Sequence, residues 1–277
     1  MRPSWRSTVL MPALAACALL APLAVDAAPA EQKKTSHFTQ RRGMFALSQI
    51  DSASVVMLGD SLTEGAQWAE ITGCAYLANR GISGDDAAGV LRRLDDVTKL
   101  RPVAVFLMIG VNDLTSGLAV DTITDNARLV IERLTKAGAK VYLSPVLPVG
   151  EDYKKTNPKI DALNREYLRI AKETKATVVD FRADMRNADG FLKAEFSRDG
   201  VHLTADGYRV WRDAVMPLVQ QHCVAQQPAA APQPLAPKPR SKRGALSDIP
   251  RANDRPTTAT SSATPPGEFN HRFGPWR

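Results

Sequence analysis

The sequence has little of what several large protein classes depend on. Aromatic residues make up 6% of its 277 residues and cysteine occurs three times, which excludes a disulfide-stapled miniprotein. Neither G-x-G-x-x-G nor G-x-x-x-x-G-K-[ST] is present, so the glycine loops that cradle nucleotide phosphates are missing and no nucleotide cofactor is expected. H-E-x-x-H and paired C-x-x-C are absent too, and with them the commonest metal-ligand spacings; no metal is expected. The G-x-S-x-G elbow of the α/β-hydrolases is also missing. Long apolar runs are lacking: Val9 to Val25 is interrupted by Pro12 and Pro22 and falls short of the roughly 20 residues of a membrane span.

What remains is ordinary globular composition, 44% hydrophobic and 23% charged, with a formal charge of +7. That charge lies at the ends. Residues 1–43 hold six Lys/Arg against two acids and residues 224–277 hold eight against three, so the middle is slightly acidic and no nucleic-acid partner is expected. The charged start Met1-Arg2-Pro3-Ser4-Trp5-Arg6 and the following apolar run form an export signal over 1–30, with a small-residue cleavage site at Ala28-Pro29-Ala30. The alternative is a lipoprotein modified at Cys17 after Leu14-Ala15-Ala16, although the apolar run continues past it. An exported chain without Cys17 keeps Cys74 and Cys223, a pair that an oxidising compartment can bridge, or two unrelated buried thiols. Residues 31–53 lead into the folded part at 54–223. Residues 224–277 are a Pro/Ala/Ser/Thr-rich basic tail with too few large apolar residues to order it, able at most to touch anionic surfaces weakly.

Between residues 54 and 219, β-branched runs alternate with stretches of helical spacing, the pattern of a parallel sheet with crossover helices. Strands are expected at 54–58, 75–78, 103–109, 140–144 and 177–180. Val103 to Ile109 is apolar without alternation, as in a central strand covered on both faces. Helices are expected at 86–99, 122–137, 158–174 and 205–219. The expected fold is thus a three-layer α/β/α sandwich of about five strands, with its ligand crevice at the carboxyl ends of the strands.

Those ends carry polar groups. Gly59-Asp60-Ser61-Leu62 follows the first strand, Asn79-Arg80-Gly81-Ile82-Ser83-Gly84-Asp85 the second, and Gly110-Val111-Asn112-Asp113 the third. Asp199-Gly200-Val201-His202 precedes the last helix. Acyl transfer needs a hydroxyl nucleophile, an imidazole base, a carboxylate to orient it and donors for the oxyanion. Ser61 fits the first role or a helix N-cap. His202 fits the second: of the four histidines, His37 lies just behind the signal, His222 follows the last helix and His271 is in the tail. Asp199 fits the third, or a turn before Gly200. Asn112, through its amide, and Gly81, through a backbone N–H unshielded by a Cβ, fit the fourth, or ordinary turn positions. Trp68 suits sugar stacking or core packing.

Taken in order, Gly59-Asp60-Ser61-Leu62, Gly81, Gly110-Val111-Asn112-Asp113 and Asp199-Gly200-Val201-His202 resemble the four blocks of the GDSL, or SGNH, hydrolases over residues 54–220. The resemblance implies a flavodoxin-like fold, no cofactor or metal, and ester hydrolysis through an acyl-serine. It implies Ser61 as nucleophile, His202 as base, Asp199 as its orienter, and an oxyanion hole of the Ser61 N–H, the Gly81 N–H and the Asn112 amide. The Asn79 to Asp85 stretch is similar to the branch with carbohydrate O-acetylesterases and acetylhydrolases. The expected substrate is therefore a short-chain, chiefly acetyl, ester on a carbohydrate or small molecule. A lipase or thioesterase on longer acyl chains, and a non-catalytic glycan-binding or scaffold domain, are the alternatives.

Overall fold

The computed structural model describes residues 36–225. The signal at 1–30, the Cys17 alternative and nearly all of the 224–277 tail lie outside the described residues. In chain order the elements are α1 (Ser36–Leu47), β1 (Val55–Gly59), α2 (Ser61–Glu64), α3 (Trp68–Thr72), β2 (Leu77–Gly81), α4 (Ala87–Arg92) and α5 (Asp95–Thr98). Then follow β3 (Ala104–Met108), α6 (Val111–Thr115), α7 (Val120–Lys136), β4 (Lys140–Leu143), α8 (Asn157–Thr174), β5 (Thr177–Val178), α9 (Arg182–Met185) and α10 (Ala205–His222).

The five strands are parallel and ordered β2-β1-β3-β4-β5. This is the flavodoxin-like order, whose direction reverses between β1 and β3 and opens a crevice beyond their carboxyl ends. Pairing brings Gly59 level with both Gly81 and Met108, so the segments after β1, β2 and β3 emerge side by side.

Alternation along the central strands fills both faces. Val56, Leu58, Val105 and Leu107 join Val90, Ile123, Val130, Leu134, Leu163 and Ile170 from α4, α7 and α8. Val55, Met57, Phe106 and Met108 join Trp68, Trp211, Val215 and Val219 from α3 and α10. The helices form where apolar residues recur at helical spacing: α7 buries Ile123, Ala127, Val130, Ile131 and Leu134 along one stripe. Pro158 sits in the first turn of α8, where a missing N–H costs no hydrogen bond, and Thr204 caps α10 by accepting from the Gly207 N–H. Cys74, after α3, and Cys223, at the end of α10, form a disulfide between positions 149 apart. Among the described residues no helix is long and apolar enough to cross a membrane.

Three elements depart from the sequence expectation. The second strand runs from Leu77 to Gly81 rather than over 75–78. It includes polar Asn79 and Arg80 because their side chains bond backbone carbonyls: Asn79 Nδ2 donates to Thr63 and Ala66, and Arg80 Nη1 to Asn79. The single helix expected over 86–99 is two, broken at Arg93 and Leu94, because Arg93 turns its guanidinium inward. The lead-in segment contains a docked helix, α1, whose Phe38 and Phe45 cluster with Ile82.

Candidate active site

The chain leaves β1 at Gly59 and enters α2 at once. Asp60 caps α2, its carboxylate accepting the Leu62 N–H at 3.0 Å, so the N-cap alternative for Ser61 falls to its neighbour. The Ser61 hydroxyl instead lies 3.0 Å from His202 Nε2. The other ring nitrogen, Nδ1, lies 2.7 Å from Asp199 Oδ2. A carboxylate only accepts, so Nδ1 carries the proton and Nε2 presents a lone pair to the Ser61 O–H.

The loop before α10 holds this geometry from the carboxylate outward. Asp199 Oδ1 accepts the N–H of Val201 at 3.0 Å and of His202 at 2.8 Å, leaving Oδ2 for the imidazole. Gly200 has φ +82, a left-handed position that lets the chain fold back over its own aspartate. Partial burial alone would raise the Asp199 pKa, but the hydrogen bonds from His202 and Val201 outweigh it and bring it down to about 2. Asp199 is therefore an anion throughout the neutral and mildly acidic range.

The structure corrects one oxyanion expectation. The Gly81 N–H already donates to Asn79 Oδ1 at 2.8 Å, and a Cβ on Gly81 would meet the Glu64 backbone nitrogen at 2.2 Å. Gly81 is pressed against the nucleophile helix, and its N–H is spent. Three residues on, the Asp85 N–H donates to the Ile82 carbonyl at 3.1 Å, closing a turn in which Gly84 takes φ +76. Gly84 is exposed, and among the described residues no group accepts its N–H. Asn112 reaches the same loop: its Nδ2 donates to the Asp85 carbonyl at 2.9 Å with one hydrogen, which leaves the second for another acceptor.

Beneath these groups lies a buried polar layer that sequence reasoning missed. Arg93, with its side chain fully buried, donates to Asp85 Oδ2 at 2.6 Å, to the Arg80 carbonyl at 2.9 Å and to the Gly59 carbonyl at 3.0 Å. One guanidinium thus ties the ends of β1 and β2 to the loop after β2. Asp113 accepts the Ala87 N–H and so fixes the start of α4 against α6. Burial pushes the Asp60 carboxyl up to about 7 against its cap hydrogen bond, and the Asp113 carboxyl up to about 6. An arginine within an apolar helical stripe was the only sequence signal, and it does not distinguish a buried tie from a solvated face.

Trp68 is not a stacking platform. It is 1% exposed, donates from Nε1 to the Thr63 carbonyl at 2.8 Å, and packs edge-on against Trp211 at 4.7 Å between ring centroids. His37 is nearer the site than its sequence position implied: its Nε2 is 3.1 Å from the carboxylate of Glu64, the last residue of α2. His222 ends α10 with Nε2 2.8 Å from the Tyr142 hydroxyl, and His271 lies outside the described residues. Two clefts adjoin the loop that carries the histidine. One of about 440 Å³ lies between Gly65–Gln67 and Ala205, Tyr208 and Arg209 of α10. The other, of about 510 Å³, is bounded by Asp199, Gly200, Glu151 and Phe191.

Known proteins resemble this chain in sequence and fold. Residues 57–210 match the sequence model of the GDSL-like lipase/acylhydrolase family. The chain is 26% identical over 172 residues to the platelet-activating factor acetylhydrolase IB subunit alpha1 of Homo sapiens, covering 58% of this chain and 73% of that one. It is 30% identical over 131 residues to esterase TesA of Pseudomonas aeruginosa, covering 46% of this chain and 60% of the other. The crystal structure of a GDSL-like lipase from Bacteroides thetaiotaomicron superposes with a TM-score of 0.60 at 25% identity, covering 66% of this chain and 97% of that one. With the parallel sheet ordered 2-1-3-4-5 and the family match spanning more than half its length, the chain belongs to the GDSL-like lipase/acylhydrolase family and is a carboxylic ester hydrolase.

Proposed function

We propose that this protein is an exported serine esterase acting on short-chain, chiefly acetyl, esters of carbohydrates, with Ser61, His202 and Asp199 as its catalytic residues. The observation that carries the reading is the continuous chain from Ser61 Oγ through both ring nitrogens of His202 to Asp199, at 3.0 and 2.7 Å. In the first half-reaction Oγ attacks the ester carbonyl carbon while its proton passes to Nε2, and the carbonyl π electrons move to oxygen. The oxyanion lies within reach of the Ser61 N–H, the Gly84 N–H and the remaining Asn112 Nδ2–H, with Gly84 taking the place first given to Gly81. Collapse breaks the bond to the alcohol oxygen, which takes the proton from Nε2, and an acyl-Ser61 remains. A water then gives its proton to Nε2 and attacks the acyl carbon; the acid leaves and Oγ regains its proton.

The short acyl group is supported by the acetylhydrolase activity named for the relative at 26% identity. Export is supported by the charged and apolar start at 1–25 and by the Cys74–Cys223 disulfide, a bond that persists in oxidising compartments. The carbohydrate part rests on the compartment, where an exported enzyme meets polysaccharides and cell-wall glycans that carry acyl esters. Assay of the full chain against nitrophenyl acetate, butyrate and octanoate, with Ser61→Ala alongside, tests the reading. We expect an acetate preference that Ser61→Ala abolishes, followed by release of acetate from an acetylated glycan. An octanoate preference would move the substrate to longer acyl chains, and equal rates in both proteins would remove Ser61 as nucleophile.

A further inference from the structure

Glu64 ends the four-residue helix that Ser61 begins, so its backbone moves with the nucleophile. Its side chain leaves that helix for the loop after β2. Oε2 accepts both the Ser83 N–H, at 2.6 Å, and the Ser83 O–H, at 2.8 Å. A carboxylate taking two donors from one residue fixes that residue's position and orientation, and such charge-assisted bonds are roughly twice as strong as neutral ones. Ser83 immediately precedes Gly84, in the turn from Ile82 to Asp85. The carboxylate is itself held from the other side. His37 Nε2 lies 3.1 Å from each of its oxygens and Arg41 Nε 3.4 Å from Oε1, both residues coming from α1. Its pKa falls although burial opposes this, because these hydrogen bonds and the Arg41 charge favour the anion.

The α1 helix lies ahead of residues 57–210, the span that matches the family, yet it is docked on the site's supporting loop. Phe38 and Phe45 bury against Ile82, Arg41 also donates to the Gly81 carbonyl at 3.3 Å, and the Arg80 guanidinium stacks over the Phe45 ring at 4.6 Å. Arg42 Nε donates to Asp96 Oδ2 at 2.7 Å and so pins the helix to α5. Apart from the Arg42–Asp96 pair, these contacts converge on residues 80–82 and on Glu64.

We propose that Glu64 is a positioning residue that ties the Ser83–Gly84 turn to the nucleophile helix, and that α1 is an accessory clamp holding Glu64 in that role through His37 and Arg41. This rests on the serine-esterase reading, in which the Gly84 N–H meets the oxyanion. A donor is useful only where the oxyanion forms, and a displacement of about 1 Å costs on the order of 10² in rate. The tie therefore acts on the transition state more than on substrate binding.

The test uses the full chain and the variants Glu64→Ala, Glu64→Met, Glu64→Gln, Ser83→Ala and His37→Ala/Arg41→Ala. Amide hydrogen exchange at Ser83, whose N–H bonds only Glu64 among the described residues, reads the tie directly and needs no activity. Glu64→Ala is expected to speed Ser83 exchange at least tenfold. It is expected to lower kcat roughly 10- to 100-fold with KM within about threefold of wild type. Glu64→Gln keeps one acceptor and should recover most of both losses at the same Tm. Ser83→Ala removes only the O–H contact, and the α1 double variant only the outer clamp, so each should show a several-fold effect in the same direction. Unchanged Ser83 exchange in Glu64→Ala, or in Glu64→Met where the alanine variant does not fold, overturns the tie. Faster exchange with unaltered kcat overturns the positioning role. A wild-type protein that hydrolyses no ester at all would defeat the esterase reading instead, and the exchange result would still decide whether Glu64 holds the turn.

Discussion

Two polar groupings lie one above the other in this molecule, and they are built on opposite terms. In the upper one, His202 and Asp199 have side chains 50% and 52% exposed, on a loop, within reach of solvent and substrate. In the lower one, Arg93 and Asp85 are 0% and 2% exposed, with buried Asp60 and Asp113 beside them. A reacting imidazole must exchange protons, so it stands where water and ester can reach it. The groups that hold the strand ends in register need the opposite, because a buried charge strengthens every hydrogen bond it makes and is costly to leave unpaired. Removing a residue above should cost rate and little stability; removing one below should cost stability first.

The largest effects should come from the upper grouping. Ser61→Ala and His202→Ala are each expected to lower kcat by several orders of magnitude with nitrophenyl acetate. Urea unfolding should stay within about 0.5 kcal/mol of wild type, as for other exposed positions. Asp199→Asn should lose less than His202→Ala, since the members of such a chain do not contribute additively. A His202→Ala protein that keeps most of its activity would break the comparison at its top.

Arg93→Met makes the converse case. It leaves Asp85 buried without its partner and frees the Gly59 and Arg80 carbonyls, a change expected to cost roughly 3–5 kcal/mol in urea unfolding. In the fraction that remains folded, kcat should fall only through the loosened loop that carries Gly84, far less than in Ser61→Ala. Asn112 bridges the two groupings, with one amide hydrogen on the Asp85 carbonyl and the other without an acceptor among the described residues. Its replacement by alanine is expected to lower kcat on the order of 10² to 10³ with a small change in KM. A loss confined to KM would place Asn112 in substrate binding rather than beside the oxyanion.

How far each grouping could be read from the sequence follows the same division. The strands and the long helices were legible because α7, α8 and α10 carry apolar stripes and β3 is a run covered on both sides. That Ser61, Asp199 and His202 meet was legible too, because Ser61 follows a strand, Asp199 and His202 precede the last helix, and few histidines compete for the place. The lower grouping was not, since Arg93 pairs through tertiary contacts that leave no local pattern. The same holds for α1, which buries only Phe38 and Phe45 and is otherwise held by His37, Arg41 and Arg42 reaching residues 23 to 54 positions away. Gly81 and Gly84 look alike in the sequence, and which N–H is already taken is settled by Asn79 Oδ1 in three dimensions.

The smallest expected effect tests the lower grouping by pH. The Asp60 pKa is about 7 in the folded protein against an ordinary 3.8, and burial is the cause. Between those values the folded state holds a proton that the unfolded state has released, so stability falls as pH rises through the window and levels off above about 7. Asp113, at about 6, acts in the same direction. Asp199, lowered to about 2, has the opposite sign: its contribution is present above 3.8 and is lost as pH falls toward 2. Asp60→Asn keeps an oxygen for the Leu62 N–H while removing the titration. Unfolding in urea at pH 4, 6 and 8 should therefore show the variant matching wild type at the lowest pH and surpassing it at the highest. Curves that stay parallel across the range would mean that Asp60 is solvated as an anion in the folded protein, and the contrast between a dry lower layer and a wet upper one would have to be redrawn at that residue.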